Sequence, residues 1–217
     1  MKVSFDEKIN LLHVTYPTQV ELAQALARFQ EHYENPELRG KVFTLGELRE
    51  WYTNFHGAWT YYVDWSGFNF PSHVLEYFKD GSFDPLTALE EEFLEAVRYR
   101  RGKFYIIGTY DGDDSTVKHE KLHALWYSNE AYKEEVQKYF SICFHLSPLA
   151  AHLRKKGYHE EVIEDEMQAY LGASHEYLQD QGLITTNCDM SPEAHLFTHA
   201  LKIEEIANKY LEAQRGR

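Results

Sequence analysis

The chain reads as an α+β protein, with a small mixed sheet and helices in its N-terminal part and a mostly helical C-terminal half. Three observations predict this. Short runs of β-prone residues occur only before residue 111. Apolar residues recur at helical spacing through most of residues 115–213. Hydrophobic content of 43% and aromatic content of 15% are enough to build a buried core in 217 residues. No internal repeat, low-complexity tract or linker breaks the sequence, so a single domain over 1–217 is expected. Its α+β part would cover 1–113 and its helical part 114–217.

Lys2–Phe5 and Leu11–Tyr16 are strand-like. Thr18 is placed to cap a helix running to about His32, with Val20, Leu22, Leu26 and Phe29 apolar and Asn35-Pro36 ending it. Thr44-Leu45-Gly46-Glu47 has the spacing of a capping box and opens a helix to about Phe55. The aromatic run Trp59–Trp65 predicts a strand, Gly67–Pro71 a loop, and Ser72–Phe78 a short helix. Pro85–Arg101 predicts a helix capped by Asp84. Phe104–Tyr110 predicts a strand, then an Asp/Gly-rich turn leads into a helix with Asp114 or Ser115 as cap. Helices are expected at 115–127, 129–140, 146–157, 159–172 and 193–213, with a loop at Gly182–Pro192.

The chemistry concentrates in His119-Glu120-Lys121-Leu122-His123. On a helix, residues four apart leave the same face about one turn apart, which suits two imidazoles on one zinc ion. Glu120, next to the first histidine, can take a proton from metal-bound water without being a ligand. Val117, Leu122, Leu125 and Trp126 would form the buried stripe of this helix, with Lys118 and Lys121 outward. A hydrolytic zinc site usually has three protein ligands. The segment 158–171 offers the third, because its apolar residues Val162, Ile163, Met167, Tyr170 and Leu171 place Glu166 on or beside the buried side. A carboxylate there needs a metal or a partner. Asp165 and Glu164 are the alternatives.

HExxH followed by a glutamate on a later helix resembles the gluzincin group of zinc metallopeptidases. The stretch from His123 to Glu166 is longer than in thermolysin-like enzymes and is closer to the anthrax lethal factor-like and Pro-Pro endopeptidase-like branch. Glu166-Met167-Gln168-Ala169 matches the Glu-x-x-Ala context of that branch's third ligand. The resemblance covers roughly residues 104–171. It implies a zincin-like fold with the motif helix under a sheet whose edge strand lines the cleft; Phe104–Tyr110 and Trp59–Trp65 are the candidate edges, and either could equally be a core strand. It also implies a Zn²⁺ cofactor, a peptide or protein substrate, and a tyrosine before the third ligand that stabilises the oxyanion. Tyr158 fills that place, with His159 as the other candidate donor. The alternative reading is an inactive zincin-like protein or a metal-free acidic binding module.

A net charge of −13 disfavours nucleic acid and anionic membranes as partners. The basic clusters Arg98, Arg100, Arg101, Lys103 and Arg154, Lys155, Lys156 fall late in predicted helices, where cations complement the dipole. Cys143 and Cys188 do not make a disulfide framework, and Cys143 is expected as a buried thiol. His195 and His199 repeat the four-residue spacing without the adjacent glutamate, and a packed or surface pair is expected. No basic region followed by an apolar core opens the chain, and the expected location is the cytoplasm.

Overall fold

The computed structural model describes residues 1–143, 145–186 and 191–213, without the side chains of Asp114, Ser115 and Ala213. It is α+β, with one small four-stranded mixed sheet and mostly helical elsewhere. Its contacts divide the chain into two compact units, Met1–Thr116 and Val117–Arg217. The division lies three residues after the 113/114 step in the sequence pattern.

In the first unit, β1 (Lys2–Asp6) pairs antiparallel with β2 (Leu11–Tyr16). Helix α1 (Gln19–Glu34) follows, with the Thr18 hydroxyl accepting from the Glu21 N–H as expected of its cap. Helix α2 (Leu45–His56) opens with the Thr44/Glu47 capping box. The sheet is completed by β3 (Phe68–Pro71) and β4 (Tyr105–Tyr110), in the order β1-β2-β4-β3. β2 and β4 run parallel and β3 is antiparallel to β4. α1 lies against the sheet at Gly108. A Cβ there would stand 2.3 Å from a Leu26 methyl and 2.8 Å from a Leu22 methyl, so the close approach requires glycine. Beneath α1, Phe29, Phe70, Phe78 and Phe93 are buried in the core.

Three expectations are corrected here. Trp59–Trp65 is not a strand; it holds the short helix α3 (Tyr61–Asp64). Its rings pack rather than pleat: Trp59 stacks on Tyr61, and the Tyr61 hydroxyl donates to the buried Glu31 at 2.6 Å. The Gln19 amide donates to the carbonyls of Val63 and Trp65, fixing the turn. The expected loop at Gly67–Pro71 supplies β3, whose Asn69 N–H is taken by Gln30 Oε1 at 2.6 Å. Phe104–Tyr110 forms a strand, but one paired on both sides, so it is not an edge.

The remaining elements are a 3-10 turn (Ser72–Val74) running into α4 (Leu75–Lys79), and α5 (Ala88–Val97). α5 is shorter than the expected 85–101 helix. Thr87, not Asp84, caps it in a second capping box with Glu90. Glu90 also receives a two-pronged salt bridge from Arg28 (2.7 and 2.6 Å), both side chains being buried.

Helix α6 (Asp114–Ser128) carries the HExxH run. Its cap is Asp113, whose carboxylate accepts from the Thr116 N–H and hydroxyl; the side chains of Asp114 and Ser115 lie outside the described residues. The second unit continues with α7 (Glu130–Ile142), α8 (Ser147–Lys156), a 3-10 turn (Glu160–Val162), α9 (Ile163–Ala173), α10 (His175–Asp180) and α11 (Pro192–Ala213). α10 falls where no helix is expected from the sequence. The unit has its own core, in which Leu122, Leu125, Leu149, Leu153, Leu171 and Ile203 are fully buried. Cys143 is half-buried rather than buried, and Cys188 lies outside the described residues. Among the described residues no helix is long and apolar enough to cross a membrane.

Candidate metal centre

The helical repeat brings His119 and His123 to one side of α6, and the face is not a solvated one: His123 and Glu120 are buried and His119 half-buried. α9 lies against this stretch because of Gly172. A Cβ at that position would stand 2.6 Å from a Leu122 methyl and 3.4 Å from Ile203. Leu122 sits between the two histidines in sequence, so the glycine sets how closely α9 can approach the motif. One and a half turns earlier on α9, Glu166 is buried.

His119, His123 and Glu166 each offer one ligand atom, and these atoms lie within 4.8 Å of one another. The two Nε2 atoms are 3.1 Å apart, and Glu166 Oε1 is 3.7 Å from His123 Nε2. Two nitrogens each bound at 2.0–2.1 Å to one tetrahedral zinc would stand about 3.3 Å apart, so the observed pair is close to a ligand pair's spacing. Both rings are held from behind. His123 Nδ1 donates to Asp165 Oδ1 at 2.9 Å, and His119 Nδ1 shares a hydrogen bond with Ser174 Oγ at 3.0 Å. Such bonds turn each Nε2 inward, as outer partners of metal-bound histidines do. Glu166 Oε2 is buried and, among the described residues, accepts no hydrogen bond. A buried carboxylate oxygen in that state is costly without a cation.

Of the three candidate third ligands, only Glu166 joins the group. Asp165 serves the outer nitrogen of His123 and also accepts from Gln168 Nε2. Glu164 accepts from Gln137 at an exposed position. The lysines before and within the motif are accommodated: Lys118 pairs with Glu204 on α11, and Lys121 is half-buried rather than fully outward.

Burial and neighbouring charges act on each member of the group. Burial holds His119 well below the ordinary histidine range, with His123 and Lys156 adding to the effect. Burial also works against protonation of His123, but Asp165, Glu166 and Glu120 together hold it well above its usual value. Burial pushes Glu166 up, with Asp165 and Glu120 contributing and His123 and Lys156 opposing. The three carboxylates therefore compete for positive charge at one place. Glu120 is close enough to act electrostatically on both His123 and Glu166.

The two expected oxyanion donors stand differently. His159 caps the 3-10 turn, its Nδ1 accepting from the Glu161 N–H at 3.3 Å. The Tyr158 hydroxyl is 3.4 Å from that of Tyr170, and the Tyr170 ring meets His119 edge to face at 4.8 Å. Sequence reading missed Asp165 as an outer partner, Ser174, Tyr170 and Lys156. Tyr170 was visible only as an apolar position, and Lys156 only as a cation suited to a helix end.

The second histidine pair is separate. His195 stacks on His145 at 4.9 Å, and His199 Nδ1 bonds the Tyr139 hydroxyl at 2.8 Å. Among the described residues the His119/His123/Glu166 group is the one that could hold a metal ion. Comparison with known proteins gives no family model, no curated protein and no solved structure that matches this chain.

Proposed function

We propose that the second unit is the catalytic part of a zinc-dependent, zincin-like hydrolase of the gluzincin type that cleaves peptide bonds. The single observation that carries this reading is the convergence of His119 Nε2, His123 Nε2 and the buried Glu166 carboxylate, whose Oε2 accepts no hydrogen bond among the described residues. His119, His123 and Glu166 would hold the metal, with Asp165 and Ser174 fixing the two rings. Zinc bound there would acidify a water and polarise a carbonyl. Glu120, buried on the motif helix, would take the water's proton and return it to the leaving amine. Of the two expected oxyanion donors Tyr158 is the better supported, since its hydroxyl neighbours Tyr170 while His159 is engaged in its turn.

The substrate class is a peptide or protein. The acidic surface argues against nucleic acid, and a cytoplasmic setting is the natural reading of the composition. The test is incubation of the zinc-loaded chain with a mixed peptide library, analysed by mass spectrometry, with and without a chelator. New termini that vanish with chelator and return with added zinc support the reading. No cleavage by a chain that has bound zinc would leave a metal-holding protein without hydrolysis.

A further inference from the structure

Beside the metal group, the second unit holds another cluster, centred on Lys156, of which the hydrolytic reading uses Tyr158 alone. Lys156, the last residue of α8, donates to the Tyr170 hydroxyl at 2.9 Å. Its ammonium lies 4.8 Å from the ring centre of Tyr177, 5.3 Å from that of Tyr170 and 5.9 Å from that of Tyr158. The Tyr177 hydroxyl bonds His152 Nε2 at 3.1 Å. A lysine at a helix end would ordinarily extend into water with its charge. This one is half-buried and drawn over three rings, an arrangement that fixes a long side chain in one place.

We propose that Lys156, Tyr170 and Tyr177 form a subsite for a carboxylate carried by the substrate, and specifically for the free C-terminal carboxylate of a peptide. This deepens the hydrolytic reading and rests on it for the position of the scissile bond. The cluster brings together an ammonium and the hydroxyls of Tyr170 and Tyr177, each able to donate, and such a cationic group suits an oxyanion through charge-assisted hydrogen bonds. Tyr170 accepts from Lys156, so its own proton is directed elsewhere and is the more strongly polarised for it. The lysine stays charged: burial opposes this, but Tyr170 and Tyr177 hold its pKa above the ordinary value.

Placement selects the C-terminus. Tyr170 follows Glu166 by four residues on α9, a rise of about 6 Å on the same face. Consecutive Cα atoms of a peptide are about 3.8 Å apart, so that span accommodates one or two residues. A chain whose terminal carboxylate sits on Lys156 would present its last or second-last peptide bond to the metal group. The expected activity is removal of one or two residues from a free C-terminus.

The test uses the full-length chain stripped of metal, so that binding is read without turnover. Titration calorimetry would compare three probes: acetyl-Phe-Ala-Ala as free acid, the same peptide as C-terminal amide, and acetyl-Phe-Glu-Ala-amide. The free acid is expected to bind at least tenfold tighter than either amide. Lys156→Met, which keeps an apolar stem among the rings, is expected to erase that difference, and Lys156→Arg to retain most of it. Equal binding of acid and amide by the unaltered chain overturns the subsite, as does an unchanged preference in a folded Lys156→Met protein. Equal binding of the glutamate-containing amide and the free acid overturns the C-terminal assignment in favour of side-chain carboxylates. Zinc content measured separately on the unaltered chain keeps a failure of the metal centre distinct from a failure of the subsite.

Discussion

His119 and His123 turn their Nε2 atoms toward each other at 3.1 Å, while Ser174 and Asp165 hold the opposite edges of the two rings. Asp165 accepts from the outer nitrogen of His123, Ser174 engages that of His119, and the Glu166 carboxylate lies 3.7 Å from the inner nitrogen of His123, an arrangement that a shared cation would complete. The protein purified without chelator is therefore expected to carry about one zinc per chain by elemental analysis. His119→Ala and Glu166→Ala should each lose it. Chelation should lower the unfolding temperature of the unaltered chain and leave that of His119→Ala unchanged, because a ligand stabilises only the state that binds it. Zinc-free protein that takes up no metal on incubation would remove the centre.

Glu120 is next to His119 yet outside the His119/His123/Glu166 group, and the proposed hydrolysis gives it the role of proton acceptor. Glu120→Gln keeps the side chain's shape and removes its basicity. Peptide cleavage should fall about 10²–10⁴-fold, the usual contribution of a general base. Zinc stoichiometry should be unchanged. Full cleavage in this variant would assign proton transfer to another group.

Asp165 accepts from both His123 Nδ1 and Gln168 Nε2. Asp165→Ala removes the brace of one ligand without touching the ligand itself. Zinc affinity, measured by competition with a chromophoric chelator, should drop about 10–100-fold. An equal loss of metal in Asp165→Ala and Glu166→Ala would instead make Asp165 a direct ligand.

The site was legible where one helix fixes the geometry. Residues four apart on α6 must share a face, so His119 and His123 could be paired from the sequence, and the apolar spacing of α9 pointed to Glu166. Adjacent residues on a helix diverge by about 100°, and this places Asp165 on the outer nitrogen of His123 while Glu166 faces inward. That division of labour is invisible until α9 is docked on α6. Ser174 and Lys156 come from helix ends brought in by packing, so no local pattern marked them. In the first unit, aromatic content misled. Trp59–Trp65 has strand-like composition, but bonds from Gln19 and Glu31 on or beside α1 hold it as a helical turn. Phe68–Pro71, bounded by glycine and proline, is a strand because β4 offers it an unpaired edge.

Arg28 and Glu90 form a buried, two-pronged ion pair, and Arg28 also donates to the carbonyls of Phe83 and Pro85. Arg28→Met would strand the Glu90 carboxylate in the core, at a cost of about 3–5 kcal/mol. Replacing both, as Arg28→Met with Glu90→Leu, should recover part of the loss, less the capping box that Glu90 also makes with Thr87. Denaturant unfolding followed by tryptophan fluorescence is suited to this, since Trp51, Trp59 and Trp65 all belong to the first unit. A double variant no more stable than Arg28→Met would place the energy in the hydrogen bonds to Phe83 and Pro85 rather than in the pair.

Gly172 is where the fold of the second unit and its chemistry meet. Its missing side chain lets α9 approach Leu122, the residue just before His123, and Leu122 is fully buried with little room to turn away. Gly172→Ala forces a contact of 2.6 Å to relax, by rotating Leu122 or by separating the two helices. Overpacking of this kind costs about 1–3 kcal/mol, offset in part by alanine's better helix propensity, worth about 1 kcal/mol. If the helices separate, Glu166 withdraws from the histidines, and zinc affinity should fall well beyond the loss in stability of the metal-free chain. If Leu122 rotates instead, stability falls alone and zinc binding is kept. Measuring both quantities on the same variant separates the two, and the expected result is a coupled loss, because the buried leucine is enclosed by the core that fixes α6.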